Sequence, residues 1–110
     1  MTGAAAYKLV WFVPREALDG TREAVFAAGA GRIGDYEHCS WYAQGTGTFL
    51  AGEGTSPAVG QVGSEERTAE LRVETVVPAD AVRAVVEALR EAHPYEEVAF
   101  DLYPLAEPPA

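Results

Sequence analysis

The sequence of 110 residues predicts an α+β fold whose elements follow the order βαββαβ. The first observation behind this prediction is an internal repeat, in which Val13 and Pro14 align without a gap with Val77 and Pro78, 64 positions later. The second is that each copy reads as a strand, a Val-Pro step, an amphipathic helix, a breaker and another strand. Two copies are too few for a solenoid, so the repeat indicates two βαβ units in one domain.

Two such units form a four-stranded antiparallel sheet. Right-handed crossovers place both helices on one face of this sheet, which is the ferredoxin-like arrangement. We expect a single domain over residues 7–105, with flexible ends at 1–6 and 106–110. The strands are predicted at residues 7–13, 34–42, 69–77 and 95–103.

Two amphipathic stretches predict the helices, because their buried-type residues recur three or four positions apart on one stripe. The first stripe consists of Leu18, Thr21, Val25 and Ala28, and the second of Val82, Val85, Val86 and Leu89. Pro14 and Pro78 are tolerated because they stand where the helices begin. We expect the first helix to end at Gly29, a good left-handed cap, and the second at His93, because Pro94 disfavours helical geometry in the residue before it.

The sheet face opposite the helices is predicted to be an oligomer interface. The first strand is apolar on both faces, because Leu9 and Trp11 alternate with Val10 and Phe12. Val76 of the third strand would join Val10 and Phe12, and a monomer would leave that apolar patch in water. Residues 43–67, with six glycines and one proline, predict a short extra strand near 46–50 and then a long loop that is functional or part of an interface.

The charge and the cysteine content restrict the partners and the location. The net charge is −9, and nucleic acids and anionic membranes both require a basic patch, so neither is an expected partner. No stretch approaches the roughly 20 apolar residues of a membrane helix, and the start of the chain lacks the pattern of a signal peptide. The single cysteine, Cys39, cannot form an intrachain disulfide, which fits a reducing cytosol and predicts a cytoplasmic protein.

Five separated motifs carry a resemblance to a known family. They are "YKLVWFVP", "GAGRIGDYEHCSW", "GTGTF", "ELRVETVVP" and "AHPYEEVAFDLYPL". In this order they resemble the insert domain of the dinuclear-metal NIF-three-like (YqfO-type) proteins, which also occurs as a free-standing small protein. The resemblance implies a fold like that of the CutA divalent-cation-tolerance and PII signalling proteins, and therefore a homotrimer. The parent's histidine-rich metal motifs are absent here, so its suggested hydrolase-type activities are not expected.

The segment "HPYEE" is the best candidate site. His93, Tyr95 and Glu97 would share a face if the segment were extended, and imidazole and carboxylate are ordinary ligands of zinc or copper. We predict His93 as the anchor, Glu96 or Glu97 as the carboxylate, and His38 as a ligand from a neighbouring subunit. The alternative is a helix end with solvated acids, where a histidine also suits the helix dipole.

Two further motifs point to no catalytic chemistry. The "GAGRIG" run matches G-x-G-x-x-G but follows a helix and opens a strand, the reverse of a dinucleotide site, so no nucleotide cofactor is expected. Arg32 within it remains a secondary candidate for holding an anion. Cys39 is predicted to be a buried thiol beside Trp41, and no nucleophile–base pair is identifiable, so no catalytic residue is expected.

These observations lead to a functional hypothesis and an alternative. The hypothesis is a small cytosolic non-enzymatic protein, similar to CutA and PII, that binds a divalent cation or small ligand at subunit junctions. A trimer is preferred over a dimer. The alternative is a ligand-free assembly or interaction module that acts through the glycine-rich residues 43–67.

Overall fold

The computed structural model describes residues 3–56 and 60–109. The described residues form two helices, α1 (Leu18–Ala27) and α2 (Val82–Ala92), and four strands, β1 (Ala6–Val13), β2 (Ser40–Leu50), β3 (Glu65–Pro78) and β4 (Phe100–Pro104). A short 3-10 turn precedes each helix, at Arg15–Ala17 and Ala79–Ala81. None of the helices in these ranges is long and apolar enough to cross a membrane.

The four strands form one antiparallel sheet in the order β2-β3-β1-β4. In the centre of the sheet, Leu9 of β1 lies opposite Thr75 of β3 and Leu102 of β4. Both helices pack against one face, so the predicted ferredoxin-like fold is confirmed. The second and fourth strands form the two edges of this sheet.

The core lies between the helices and one face of the sheet. Trp11 and Val73 on the strands and Val25 and Leu89 on the helices are all completely buried. The indole Nε1–H of Trp11 donates to Oγ1 of Thr21 at 3.1 Å, and this hydroxyl lies 2.9 Å from the Ala17 carbonyl. The core therefore buries aromatic and aliphatic surface without leaving the indole donor unpaired.

The second strand begins later than predicted. The tight turn at 33–36, in which Ile33 and Tyr36 bond to each other, occupies the start of the predicted strand. His38 then adopts a positive φ of 56°, which a strand does not permit. The expected strand position of His38 is therefore wrong, and β2 starts only at Ser40.

Residues 43–67 contain more strand than predicted, with 43–50 in β2 and 65–67 in β3. β2 continues to Leu50, so the separate short strand expected near 46–50 is the outer part of β2 itself. It pairs with β3 from Glu65 onward, and this cross-strand pairing outweighs the low strand propensity of Gly45 and Gly47. The connection between the strands is thus shorter than predicted, and its residues 57–59 lie outside the described residues.

The last strand begins at Phe100 instead of residue 95. The reason is that a side chain, and not a backbone N–H of the segment before Phe100, bonds to a carbonyl oxygen near the end of β1. Nε2 of His93 lies 2.7 Å from the carbonyl oxygen of Phe12, near the end of β1. The amide of Tyr95 is also taken, since it donates to Nδ1 of His93 at 3.1 Å. The assumption that His93, Tyr95 and Glu97 share a strand face is therefore wrong, because this segment is bent.

The sheet face opposite the helices, called the open face below, is more polar than predicted. Val10 is only 1% exposed, so it does not form the apolar patch in water that the sequence suggested. The guanidinium of Arg72 lies 5.7 Å from the centre of the Phe12 ring and pairs with Glu74 at 3.1 Å. Phe12 and Val76 remain partly exposed, so some apolar surface persists on this face.

Candidate ligand-binding cleft

His93 ends α2, as the sequence predicted, and its ring has two hydrogen-bond partners. A backbone N–H can only donate, so Nδ1 accepts from Tyr95 and Nε2 carries the proton donated to the Phe12 carbonyl. The ring is buried, and this burial lowers the pKa of His93 despite the opposing effect of the bond to Phe12. His93 is therefore held as a neutral imidazole between β1 and the segment that precedes β4.

This geometry bears on the predicted metal ligand. Any ion bound to His93 would have to displace Tyr95 from Nδ1 or Phe12 from Nε2. The role of His93 that the contacts support is positional, since it fixes the bend that leads to Tyr95. The role of His93 as a metal anchor stays a prediction, and metal binding there would break one of these hydrogen bonds.

The other predicted ligands are not gathered around His93. The carboxylate of Glu96 accepts the backbone N–H of Ser56 at 3.2 Å, and Glu97 is exposed. His38 stacks on Phe26 with ring centres 4.7 Å apart, in the connection between α1 and β2. Within residues 3–56 and 60–109, no three His, Cys, Asp or Glu side chains are grouped so that they could hold a metal ion.

The loop that carries His38 and Cys39 has a structural role. Gly31, with a φ of 85°, donates its N–H to the Val76 carbonyl at 2.8 Å and accepts the N–H of Cys39 at 2.8 Å. The thiol of Cys39 is half-buried outside any strand, and Trp41 is 59% exposed, so the expected packing of a buried thiol beside Trp41 is wrong. The predicted helix cap and turn in "GAGRIG" do form, and Arg32 there faces Glu37 at 3.8 Å.

A cleft of about 250 Å³ lies on the open face, beside the "HPYEE" segment. One wall is the outer part of the β2–β3 hairpin, with Gly47, Phe49 and Glu70. The other wall is the segment before β4, with Tyr95 and Glu96. The cleft therefore brings the two predicted carboxylates, Glu96 and Glu97, together with residues that are more than 20 positions away in the sequence.

Glu70, in the hairpin wall of this cleft, lies against the backbone of β2. A Cβ added at Gly47 would collide with the Glu70 carboxylate, so the absence of a side chain at position 47 makes room for it. Burial raises the pKa of Glu70, because the charged form loses part of its hydration. Sequence reasoning missed Glu70, although a glycine inside a strand is a signal of close approach by another group.

Tyr95 brings a second polar group into the cleft. Its hydroxyl is buried and has no hydrogen-bond partner among the described residues. Its ring contacts His93 edge-on, with centres 4.9 Å apart. Burial raises the pKa of Tyr95, and the negative charges of Glu70 and then Glu16 add to this effect. Tyr95 and Glu70 thus both line the cleft.

Curated relatives match the whole fold but only part of their own length. The chain is 60% identical over 102 residues to the "GTP cyclohydrolase 1 type 2 homolog" of Mycobacterium tuberculosis, which covers 93% of this chain and 27% of that protein. The homologue from Bacillus subtilis is 45% identical over 103 residues, covering 94% of this chain and 28% of its own length. The chain therefore spans about a quarter of the curated relatives it matches, and no family model matches it.

Solved structures agree with the sequence matches. A Bacillus cereus protein related to NIF3 superimposes with a TM-score of 0.83 at 45% identity, covering 94% of this chain and 26% of that one. A periplasmic divalent cation tolerance protein CutA from Archaeoglobus fulgidus gives 0.70 at 11% identity, covering 94% and 86%. GlnK of B. subtilis gives 0.60 at 14% identity, covering 92% and 85%. The chain is therefore a homologue of one domain of the NIF3-related proteins, an insert-type domain with the fold of CutA and of PII-like proteins such as GlnK.

Proposed function

We propose that this domain is a non-enzymatic oligomeric binding unit that takes up a divalent cation or a small ligand where subunits meet. The observation that carries the proposal is the cleft between the β2–β3 hairpin and Tyr95 on the open face. Concave sites that are mainly apolar and contain a few polar groups are typical of ligand binding. The cleft opens on the side of the sheet that the helices leave uncovered, where another subunit would approach.

The shape of the hairpin supports the oligomer. The outer part of the hairpin, 46–50 paired with 65–69, contributes no residue to the buried core cluster, although the molecule extends over 51 Å in its longest direction. Leu50 is 59% exposed and Phe49 is only partly buried, so apolar side chains on both faces of the outer hairpin remain accessible. A trimer is the preferred assembly because the resemblance to CutA and PII proteins implies it, and a dimer is the second choice.

Charge supports a cationic ligand. Glu70, Glu96 and Glu97 line the cleft, and the chain as a whole carries a net charge of −9. A neighbouring subunit that supplied His38 or further carboxylates would complete the coordination of a zinc or copper ion. The CutA structures are named for divalent cation tolerance, and this chain has their fold.

A non-enzymatic role is part of the proposal. The one cysteine, Cys39, has its thiol 3.8 Å from the Glu37 carbonyl, and no basic side chain bonds to it in the described part of the chain. His93 is buried with both nitrogens engaged, so it is not available as a general base. A cytoplasmic location is proposed on the single cysteine and the acidic composition.

A second candidate is an assembly module without a ligand, acting through residues 43–67. The exposed aromatic residues Trp41 and Tyr42 and the exposed Leu50, all on the edge strand β2, favour it. An exposed edge with apolar side chains can pair with another chain. The two candidates differ in whether a ligand is needed.

The test combines the mass of the protein in solution with metal binding. Light scattering at micromolar concentration should give the mass of three chains, and calorimetry with zinc and copper should detect heat that a chelator removes. A monomer mass would contradict the oligomer. An oligomer that binds neither metal nor small ligand would favour the assembly module.

Phe12→Asp should dissociate the oligomer, because it places an unpaired charge on the open face where subunits are proposed to meet. Arg83→Asp, on the exposed surface of α2, is the matched control and should leave the mass unchanged. Circular dichroism would check that both variants are folded. Loss of assembly in both variants would indicate that net charge, and not the open face, controls association.

A further inference from the structure

The cleft beside Tyr95 combines apolar surface with a few polar groups. Phe49 and Ala51 of the hairpin side and Ala99 of the opposite side give it apolar surface. Glu70 and Tyr95 are among the polar residues that line it, together with Glu96, Glu97 and three threonines. An occupant that fits therefore combines an apolar body with one polar end.

The charge of the polar end follows from the lining. None of the described residues that line the cleft is Lys, Arg or His, whereas three are glutamates. Arg72, on the same strand as Glu70, is engaged by Glu74 at 3.1 Å. A phosphate or carboxylate would meet only negative charge in this cleft, so the occupant's polar end must be positive.

The three glutamates are not equivalent. The Glu96 carboxylate already accepts a hydrogen bond from the N–H of Ser56, and Glu97 is exposed to solvent. Glu70 is the carboxylate that burial affects, because it lies over Gly47 inside the cleft. A positive group that paired with Glu70 would offset the lost hydration of its charged form.

The Tyr95 hydroxyl is the second, independent observation. The hydroxyl is buried without a partner among the described residues, which is unfavourable unless a water or a ligand completes its hydrogen bonding. Its oxygen can accept a hydrogen bond and its proton can be donated. A donor that enters beside Glu70 would satisfy it.

We propose that the cleft binds a small organic cation, a protonated primary amine on an apolar body, with Glu70 and Tyr95 holding the ammonium group. This inference rests on the proposed function and specifies its ligand class. An ammonium has three donors, so it can bond to the Glu70 carboxylate and the Tyr95 oxygen together. A single chain suits this cation better than a metal ion, because the described residues provide no cluster of three ligating side chains.

Benzylamine is a suitable probe, with benzyl alcohol as the neutral molecule of nearly the same shape. Each is titrated into isotope-labelled protein at pH 7.5, and the backbone amide signals are followed by NMR. Benzylamine should shift the signals of Gly47, Glu70 and Tyr95, and it should bind roughly tenfold more tightly than the alcohol because the charge-assisted bonds are lost in the latter. Equal affinity for the two probes would overturn the proposal.

Three variants locate the interaction. Glu70→Gln keeps the shape and removes the charge, so benzylamine affinity should fall about tenfold. Tyr95→Phe keeps the ring against His93 and removes the hydroxyl, so a smaller loss of a few-fold is expected. Glu66→Gln removes one charge from the same face of β3, outside the cleft lining, and should have no effect. If Glu66→Gln lost as much benzylamine affinity as Glu70→Gln, the net negative charge of the protein would explain the binding, and the proposed site would be refuted.

A parallel zinc titration separates this inference from the proposed function. Zinc binding without any benzylamine response at the cleft would overturn the amine site and leave the proposed cation-binding role intact. A benzylamine response that Glu70→Gln weakens supports the amine site whether or not zinc binds. Failure of both probes would contradict the inference and the ligand-binding role together.

Discussion

The two faces of the sheet are built from the same strands, but they differ in whether their buried polar groups have hydrogen-bond partners. On the helix side, Trp11 is completely buried and its indole N–H is paired with Thr21. On the open face, the Tyr95 hydroxyl is buried and unpaired among the described residues, and the Glu70 carboxyl lies partly buried over Gly47. The chain thus completes one face by itself and leaves the Tyr95 hydroxyl on the other without a partner among the described residues.

This difference indicates where stability and where function reside. The helix face consists of side chains that need only each other, so changes there should affect folding. The open face combines a partly buried carboxyl group, a buried hydroxyl without a partner among the described residues, and a glycine that makes room for the carboxyl group. Such features carry a free-energy cost, and proteins retain them mainly at functional sites.

The two tryptophans provide the strongest test of this contrast. Trp11→Ala should lower the free energy of unfolding by about 3–5 kcal/mol, because it empties a core site and leaves Thr21 without its donor. Trp41→Ala is the matched control on the open face, and with 59% of its surface exposed it should change stability by less than about 1 kcal/mol. Urea unfolding followed by circular dichroism measures both. Similar losses would mean that Trp41 is covered in solution, which would itself point to an interface.

The helix face could be predicted because its signals are local. The spacing of Val82, Val85 and Leu89 gives the buried stripe of α2, and Pro94 gives its end, since both effects act within a few residues. The internal repeat of two βαβ units then predicted the order of strands and helices along the chain. These elements depend on periodicity and backbone stereochemistry, which are present in the sequence itself.

The open face could not be predicted to the same extent because it depends on register. Whether Gly47 lies opposite Thr68, and so beside Glu70, is decided by the pairing of β2 with β3 and not by any local pattern. The start of β4 depends on the ring of His93, which takes the place of neighbouring strand residues at Phe12. The "HPYEE" segment was therefore located correctly as a helix end, whereas the cleft residues Glu70 and Gly47 were missed.

The pH dependence of stability tests the hydrogen bond by which His93 ties the segment before β4 to β1. The pKa of His93 is lowered in the folded state, so the unfolded chain takes up a proton more readily, with a pKa of about 6.5. The unfolded state then binds more protons at acidic pH, and stability is lost as pH falls from about 6.5 through the lower folded pKa. At pH 8 both states are neutral at this residue and the contribution is complete.

His93→Gln should remove this dependence, because an amide does not titrate. The variant should be less stable at pH 8 by about 1–3 kcal/mol, since its geometry cannot reproduce both bonds to Phe12 and Tyr95. His38→Gln is the control, because His38 is exposed in the connection before β2. Urea unfolding at pH 8 and pH 5.5 would compare the three proteins. An unchanged slope with pH in His93→Gln would assign the dependence to another group.

The smallest expected effect compares two glycines on the same face of the same strand. A Cβ at Gly47 meets the Glu70 carboxylate, whereas a Cβ at Gly45 meets nothing within 4 Å. Because the carboxylate is the far end of a flexible side chain, Gly47→Ala should cost less than about 1 kcal/mol in stability. Its consequence should be local: Glu70 is pushed away from β2 toward water, so the pKa of its carboxyl should return toward the ordinary value. NMR titration of the Glu70 side chain would measure this, and Gly45→Ala should leave the Glu70 pKa unchanged.

If both variants leave the Glu70 pKa raised, the burial of this carboxylate does not depend on position 47. The neighbouring side chains would then bury the Glu70 carboxylate, and the close approach to Gly47 that the missing Cβ allows would not be needed.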